Sequence, residues 1–331
     1  IEPNVGEVMV PDPRLEVLAR LAKSVKIKPT RLTFVDIAGL VSGASRDEGL
    51  GNQFLAHVRE VDAVAHVVRC FVDANVAHVA GVIDPIADID TIETELMLAD
   101  LESLEKRVDA LEKKAKGSGE EAKSAKEMLD LINRSLILLR EGKPARLVVR
   151  KPEEEKLFHS LGLLTSAPVL YACNVEEASA ATGNEFSREV EARAKEEGAV
   201  AVVISAKIES EIATLPPAER VEFLEAVGLQ ETGLDRLIRA GYALLHLVTY
   251  FTVGPKETRA WTITAGTKAP QAAGVIHSDF ERGFIRSETI AYDDYIANSG
   301  EAGARDAGKL RLEGKDYVVA DGDVLHFRFA T

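Results

Sequence analysis

Four short apolar runs punctuate the chain, at 32–36, 63–71, 168–174 and 200–205, and each reads as a short strand. Stretches with helical spacing separate them, as at 51–60 and 188–197. Such alternation predicts a parallel sheet with helices on both faces. The strand ends carry Asp36, Arg69, Asn174 and Ser205. Open α/β sheets bind ligands at the carboxyl ends of their strands, so these groups are expected to converge on one rim.

A different pattern lies between the second and third strands. Leu101, Leu104, Val108, Leu111 and Ala115 form one heptad stripe, and Ala125, Leu129, Ile132, Leu136 and Leu139 form another. Gly117-Ser118-Gly119 turns the chain between them, which predicts an antiparallel helical hairpin. Lys106, Arg107, Lys113, Lys114, Lys116, Lys123 and Lys126 crowd its tip among Glu105, Glu112, Glu120 and Glu121. The pattern is helical again over 209–247, with Pro216-Pro217 opening one helix. Beyond Thr249 it turns β-rich: strands are expected at 260–264, 317–319 and 324–329, with Asp321-Gly322 as a tight turn between the last two.

At 331 residues the chain has room for two or three domains, and 46% hydrophobic with 28% charged residues is ordinary for a globular protein. No apolar run approaches the roughly 20 residues of a membrane span. Cys70 and Cys173 both lie in apolar runs without partners at ligand spacing, so neither a disulfide framework nor a metal site is expected, and a reducing cytoplasm fits. The net charge of −14 argues against indiscriminate nucleic-acid binding and leaves room for a local basic face.

The richest stretch follows the first strand: Asp36-Ile37-Ala38-Gly39-Leu40-Val41-Ser42-Gly43-Ala44-Ser45, then Gly49-Leu50-Gly51. A strand ending in Asp-x-x-Gly is how P-loop nucleotide hydrolases set a carboxylate near Mg²⁺ and a glycine N–H near the γ-phosphate. Asp36 and Gly39 hold those places, with Asp36 expected to reach the metal through water. Gly43, Gly49 and Gly51 allow the segment to pivot between states. Leu40 stands where many GTPases keep a Gln that orients the attacking water. Another polar group must do that work, and the nearest candidate is His78.

The third strand ends in Asn174-Val175-Glu176-Glu177, where GTPases carry Asn-Lys-x-Asp. That Asp accepts hydrogen bonds from guanine N1–H and the 2-amino group; adenine N1 is itself an acceptor. Here Val175 replaces the Lys and Glu177 the Asp, so two of three signature positions are altered. Asn174 still bonds a purine through its amide, and Val175 is expected against the base face. Ser205-Ala206-Lys207, at the next strand end, falls where G domains line the base pocket with backbone N–H groups.

With these residues assembled, the chain resembles the Obg-like ATPase (YchF) family over nearly its whole length. Ile1-Glu2-Pro3-Asn4-Val5-Gly6 matches the tail of switch I, and Val35-Asp36-Ile37-Ala38-Gly39-Leu40 matches switch II. His66-Val67-Val68-Arg69-Cys70-Phe71 matches the next strand, and Asn174-Val175-Glu176-Glu177 the altered base-reading motif. The run from Gln271-Ala272-Ala273-Gly274 to Gly283-Phe284-Ile285-Arg286 matches the TGS domain, a module shared with threonyl-tRNA synthetases and stringent-response enzymes.

The resemblance implies an α/β P-loop NTPase of Obg type, with an inserted helical hairpin and a C-terminal TGS domain. The expected divisions are 1–87 and 151–245 for the nucleotide domain with its helical linker, 88–150 for the hairpin, and 246–331 for the TGS domain. The resemblance further implies ATP with Mg²⁺ preferred over GTP, slow hydrolysis to ADP and phosphate, and a cytoplasmic monomer that associates with the 50S or 70S ribosome. It gives His78 the water-positioning role and puts nucleotide specificity on Asn174, Val175 and Glu177. Gly-x-x-x-x-Gly-Lys-Ser/Thr, the switch I Thr and the main Mg²⁺ ligands are expected upstream of Ile1. Contact with rRNA is expected at the hairpin tip or the TGS domain, the latter through Arg282, Arg286, Lys309 and Arg311. Two other readings fit part of the pattern: an ordinary GTPase, which Val175 and Glu177 oppose, and an interaction scaffold around a vestigial nucleotide site.

Overall fold

The computed structural model describes residues 4–37, 50–73, 75–76 and 81–330, with the backbone alone for 50–53. In chain order the first half holds β1 (Asn4–Met9), α1 (Pro13–Ala22), β2 (Lys26–Lys28), β3 (Arg31–Asp36), α2 (Leu50–Glu60), β4 (Val64–Arg69), α3 (Pro85–Ala115) and α4 (Glu120–Arg140). Then come α5 (Glu155–His159), β5 (Val169–Asn174), α6 (Glu185–Glu197), β6 (Val200–Ile204), α7 (Ala206–Thr214), α8 (Pro217–Ala226) and α9 (Gly233–Leu244). The chain ends with β7 (Leu247–Val253), β8 (Glu257–Thr264), α10 (Ala269–Ile276), α11 (Ser278–Arg282), β9 (Phe284–Ile290), α12 (Tyr292–Ala297), α13 (Glu301–Asp306), β10 (Arg311–Glu313) and β11 (Val324–Phe329). Two compact units emerge, one of residues 1–4 and 36–237, the other of 5–35 and 238–331.

In the first unit β4, β5 and β6 form a parallel sheet in that order. Val68, Cys70, Tyr171, Cys173 and Val175 pack on Ile89 of α3 and on Val190 and Ala194 of α6. Both cysteines are buried and free. The expected hairpin is present, but α3 runs unbroken over 31 residues from Pro85, capped by the Asp84 carboxylate, which accepts from Ala87 N at 2.9 Å. No Gly or Pro interrupts it before the Gly117 turn. Its first turns therefore pack on the parallel sheet and its last form the hairpin. Leu104, Ile132, Leu136 and Leu139 fill the hairpin core as the heptads predict, and Leu131, outside the predicted stripe, joins them.

A buried polar cluster ties this layer together. The Arg146 guanidinium, after α4, bonds Glu93 of α3 and, at 2.8 Å, Glu197 of α6. Arg193 also pairs with Glu197, and the Tyr171 hydroxyl donates to Glu197 at 3.0 Å. Burial alone would raise the Glu197 carboxyl; Arg193 and Arg146 outweigh it and hold it below the usual range.

The second unit is built on a six-stranded mixed sheet in the order β10-β9-β11-β7-β8-β2. Residues 5–35, assigned by the sequence to the nucleotide domain, cluster here. The apolar face of α1, Leu15 and Leu18, enters a core with Phe251, Ala260, Ile290 and Val324, worth about 1.5–3 kcal/mol per fully buried leucine. β2 adds a parallel strand to β8, and Arg14 reaches Asp321 at 2.7 Å. Asp321-Gly322 turns as predicted, with Gly322 at φ +88°, where a side chain would be strained. The expected strand at 317–319 is absent: Val318 makes one isolated bridge to Lys268.

Candidate nucleotide-binding site

Of the four strand ends expected to share one rim, three do: Arg69 and Asn174 end β4 and β5 in register, and Ser205 follows the last residue of β6, whereas the strand ending in Asp36 is not part of that sheet. Asp36 ends β3, which pairs with β1 in a separate two-stranded sheet. It is exposed and makes no side-chain hydrogen bond to a described residue. Gly39, Leu40, Gly43, Gly49 and His78 lie outside the described residues. Gly51 falls in the first turn of α2.

Arg69 shapes the loop that precedes His78. Its guanidinium donates to the carbonyls of Phe71, Asp73 and Val76 at 3.0–3.2 Å and lies 4.8 Å from the Phe71 ring centroid.

The base-reading residues come together. Asn174 Oδ1 accepts from the backbone N–H of Ala206 at 2.9 Å, joining the end of β5 to the first turn of α7. Val175 N–H donates to Ile204 O at 2.9 Å. The Glu177 and Lys207 side chains form an ion pair at 2.7 Å, both substantially exposed. That contact holds the Lys207 ammonium above its usual pKa. Ser205 is buried, and its hydroxyl has no partner among the described residues.

Val175 corrects one expectation. Its side chain is 3% exposed and packs with Cys173, Val68 and Val190 in the core. Residues 173 and 175 share a face of the strand, so Val175 continues the buried row instead of presenting itself at the rim. It removes the Lys of the GTPase pattern without offering a surface of its own.

One contributor escaped the sequence reading. Asn184 caps α6 and donates through Nδ2 to Cys70 O at 2.6 Å and to Glu176 Oε2 at 2.9 Å, bracing the loop after β4 against the loop after β5. Burial raises the Glu176 carboxyl, but bonds from Ser179 and Asn184 prevail and leave it below the ordinary range. The signal was the capping pair Asn184-x-x-Ser187 ahead of a helical run. Glu209 plays a similar part for α9, accepting from Gly233 N–H at 2.7 Å, and a Cβ at Gly233 would sit 3.0 Å from Ile204.

The four cations of the second unit that were expected to meet RNA lie against neighbouring acids. Arg282 pairs with Asp279, Lys309 with Asp294 at 3.2 Å, and Arg311 with Glu313 at 3.3 Å. Arg286 approaches Glu288 at 3.8 Å. At the hairpin tip Lys114 meets Glu121 at 3.6 Å, whereas Lys113, Lys116 and Lys123 make no ion pair with a described residue. Among the described residues no helix is long and apolar enough to cross a membrane, and no cluster of three or more His, Cys, Asp or Glu could hold a metal ion.

This architecture has close relatives. Residues 18–114 match a domain family described as 50S ribosome-binding GTPase, and 247–330 match the YchF-GTPase C-terminal family, described as a protein of unknown function. The chain is 55% identical to the ribosome-binding ATPase YchF of Haemophilus influenzae over 329 residues, 99% of this chain and 90% of that protein. It is 54% identical to the Bacillus subtilis protein of the same name, with the same coverage. A solved structure of the Schizosaccharomyces pombe YchF GTPase superposes with a TM-score of 0.89 at 38% identity, covering 99% of this chain and 88% of that one. Identity this high along nearly the entire chain, on the same fold, leaves one conclusion: the chain belongs to the YchF family.

Proposed function

We propose that the protein is an ATP-hydrolysing switch that works on the ribosome in the cytoplasm as a monomer. The observation that carries the ATP reading is the rim at Asn174, Glu177, Ala206 and Lys207. The carboxylate there is the longer Glu177, with an ammonium beside it in place of the bare Asp of a guanine reader, and the helix N–H of Ala206 bonds Asn174. A guanine reader needs that carboxylate for N1–H and the 2-amino group. The names of the relatives, ribosome-binding ATPases, support the same nucleotide and the same partner.

Asp36 fits a Mg²⁺ role, being an exposed carboxylate at a strand end with no competing side-chain partner among the described residues. Mg²⁺ is usually held by one or two carboxylates together with phosphate oxygens and water. When bound it would neutralise phosphate charge. The protein's own task is then to align water, and His78 takes that role because Leu40 has no polar group to offer.

Hydrolysis is the test. The purified full-length protein should release phosphate from ATP, slowly. His78→Ala should lower the single-turnover rate, by up to about 10²-fold, the low end for a positioned acid–base group, with ATP affinity within a few-fold. No ATP-dependent phosphate release from the wild type would overturn the reading, and an unchanged rate in the variant would remove His78 from it.

A further inference from the structure

The ion pair at the rim is more than a neutralised guanine reader. In the GTPase pattern the residue at this strand end offers a bare carboxylate, an acceptor that faces N1–H. Here the Lys207 ammonium sits 2.7 Å from that carboxylate, so the rim offers a donor and an acceptor side by side. Adenine presents the complementary pair on one edge, the 6-amino donor and the N1 acceptor. Guanine presents the reverse order, a 6-oxo acceptor and an N1–H donor, so with the ammonium opposite N1 its N1–H would be met donor to donor. The backbone donor that could meet a 6-oxo group, Ala206 N–H, is taken by Asn174 Oδ1.

We propose that Lys207, held by Glu177, is a specificity residue that selects 6-aminopurines by donating to N1 of the base, with Glu177 as its positioning partner. The proposal rests on the ATP reading above and adds to it the group on the base that is read. Neither side chain is locked: both are largely exposed, so the ammonium can exchange part of its contact with Glu177 for the base.

The experiment is displacement of a fluorescent ATP analogue from the full-length protein by ATP, GTP and 1-deaza-ATP, whose N1 is replaced by C–H. The wild type should bind ATP more tightly than GTP, and 1-deaza-ATP roughly three- to ten-fold more weakly than ATP, as for one solvent-screened hydrogen bond to a charged donor. In Lys207→Met the advantage of ATP over 1-deaza-ATP should vanish, and GTP should gain roughly three- to ten-fold because the Glu177 carboxylate is released to accept from it. Lys207→Arg should restore the wild-type order. Adding Glu177→Gln to Lys207→Met should abolish the gain for GTP. If ATP is preferred by the wild type but the ratio of ATP to 1-deaza-ATP is the same in Lys207→Met, Lys207 does not read N1 and the proposal falls alone. A wild type that prefers GTP, or binds neither nucleotide, defeats the ATP reading itself.

Discussion

Two carboxylate–cation groupings flank β5, and their settings differ completely. Tyr171, in the middle of the strand, joins Glu93, Arg146, Arg193 and Glu197, where the Arg146 and Glu197 side chains are 11% and 9% exposed. Just past the strand's end, Glu177 and Lys207 are 47% and 65% exposed. Buried charges cannot change partners without leaving a desolvated ion behind, so the first grouping is fixed and locks α3 and α6 to the sheet. Exposed charges exchange partners at little cost, so the second is free to meet a ligand. The same residue chemistry builds architecture in one place and recognition in the other, and solvent makes the difference.

Breaking the buried group should give the largest effect. Arg146→Met strands Glu93 and Glu197 in the interior and should cost about 3–5 kcal/mol of unfolding free energy in a denaturant titration. Loss under 1 kcal/mol would show the cluster to be solvated and erase the contrast.

His66 sharpens it from the side of pH. Burial pushes the ring's pKa down to about 4, against a partial upward pull from Asp88. Between about pH 4 and the ordinary value near 6.5 the unfolded chain binds the proton and the folded one does not. Stability from the neutral ring is therefore fully present above pH 6.5 and is lost as pH falls toward 4. The loss should be about 1–2 kcal/mol, discounted from the full shift because the ring keeps some contact with solvent. His66→Phe should flatten that part of the pH–stability curve; an unchanged slope would place the titration elsewhere.

The comparison extends to the surface cations. Arg282, Lys309 and Arg311 are satisfied by acids of their own domain, whereas Lys113, Lys116 and Lys123 at the hairpin tip are not. Phosphate contacts release counterions and weaken steeply with salt. Reversing Lys113, Lys114 and Lys116 to Glu should lower ribosome co-sedimentation by roughly ten-fold at moderate salt and flatten its salt dependence, with ATPase activity of the free protein intact. Reversal of the paired Arg282 and Arg311 should do less. The opposite ranking would move the contact to the C-terminal domain.

Much of this was legible in the residues. The strands β4, β5 and β6 are continuous apolar runs, and the hairpin carries its heptads and its glycine turn in plain view. The placement of residues 5–35 was not. An amphipathic helix such as α1 announces that it needs a core without saying which, and the core it found includes Phe251 and Val324, over 200 residues away. β9 was missed because Arg286 and Glu288 interrupt its apolar pattern, while Ser287 and Thr289 occupy buried positions normally held by hydrophobes. Asn174, Glu177 and Lys207 were identified by motif, but the ion pair between two of them was visible only once β5 and β6 lay side by side.

The central claim is that this rim selects adenine. Equilibrium titration of the full-length protein with labelled ATP and GTP, under identical Mg²⁺ and salt, tests it most directly. The account predicts clearly tighter binding of ATP; equal affinity or a preference for GTP would contradict it.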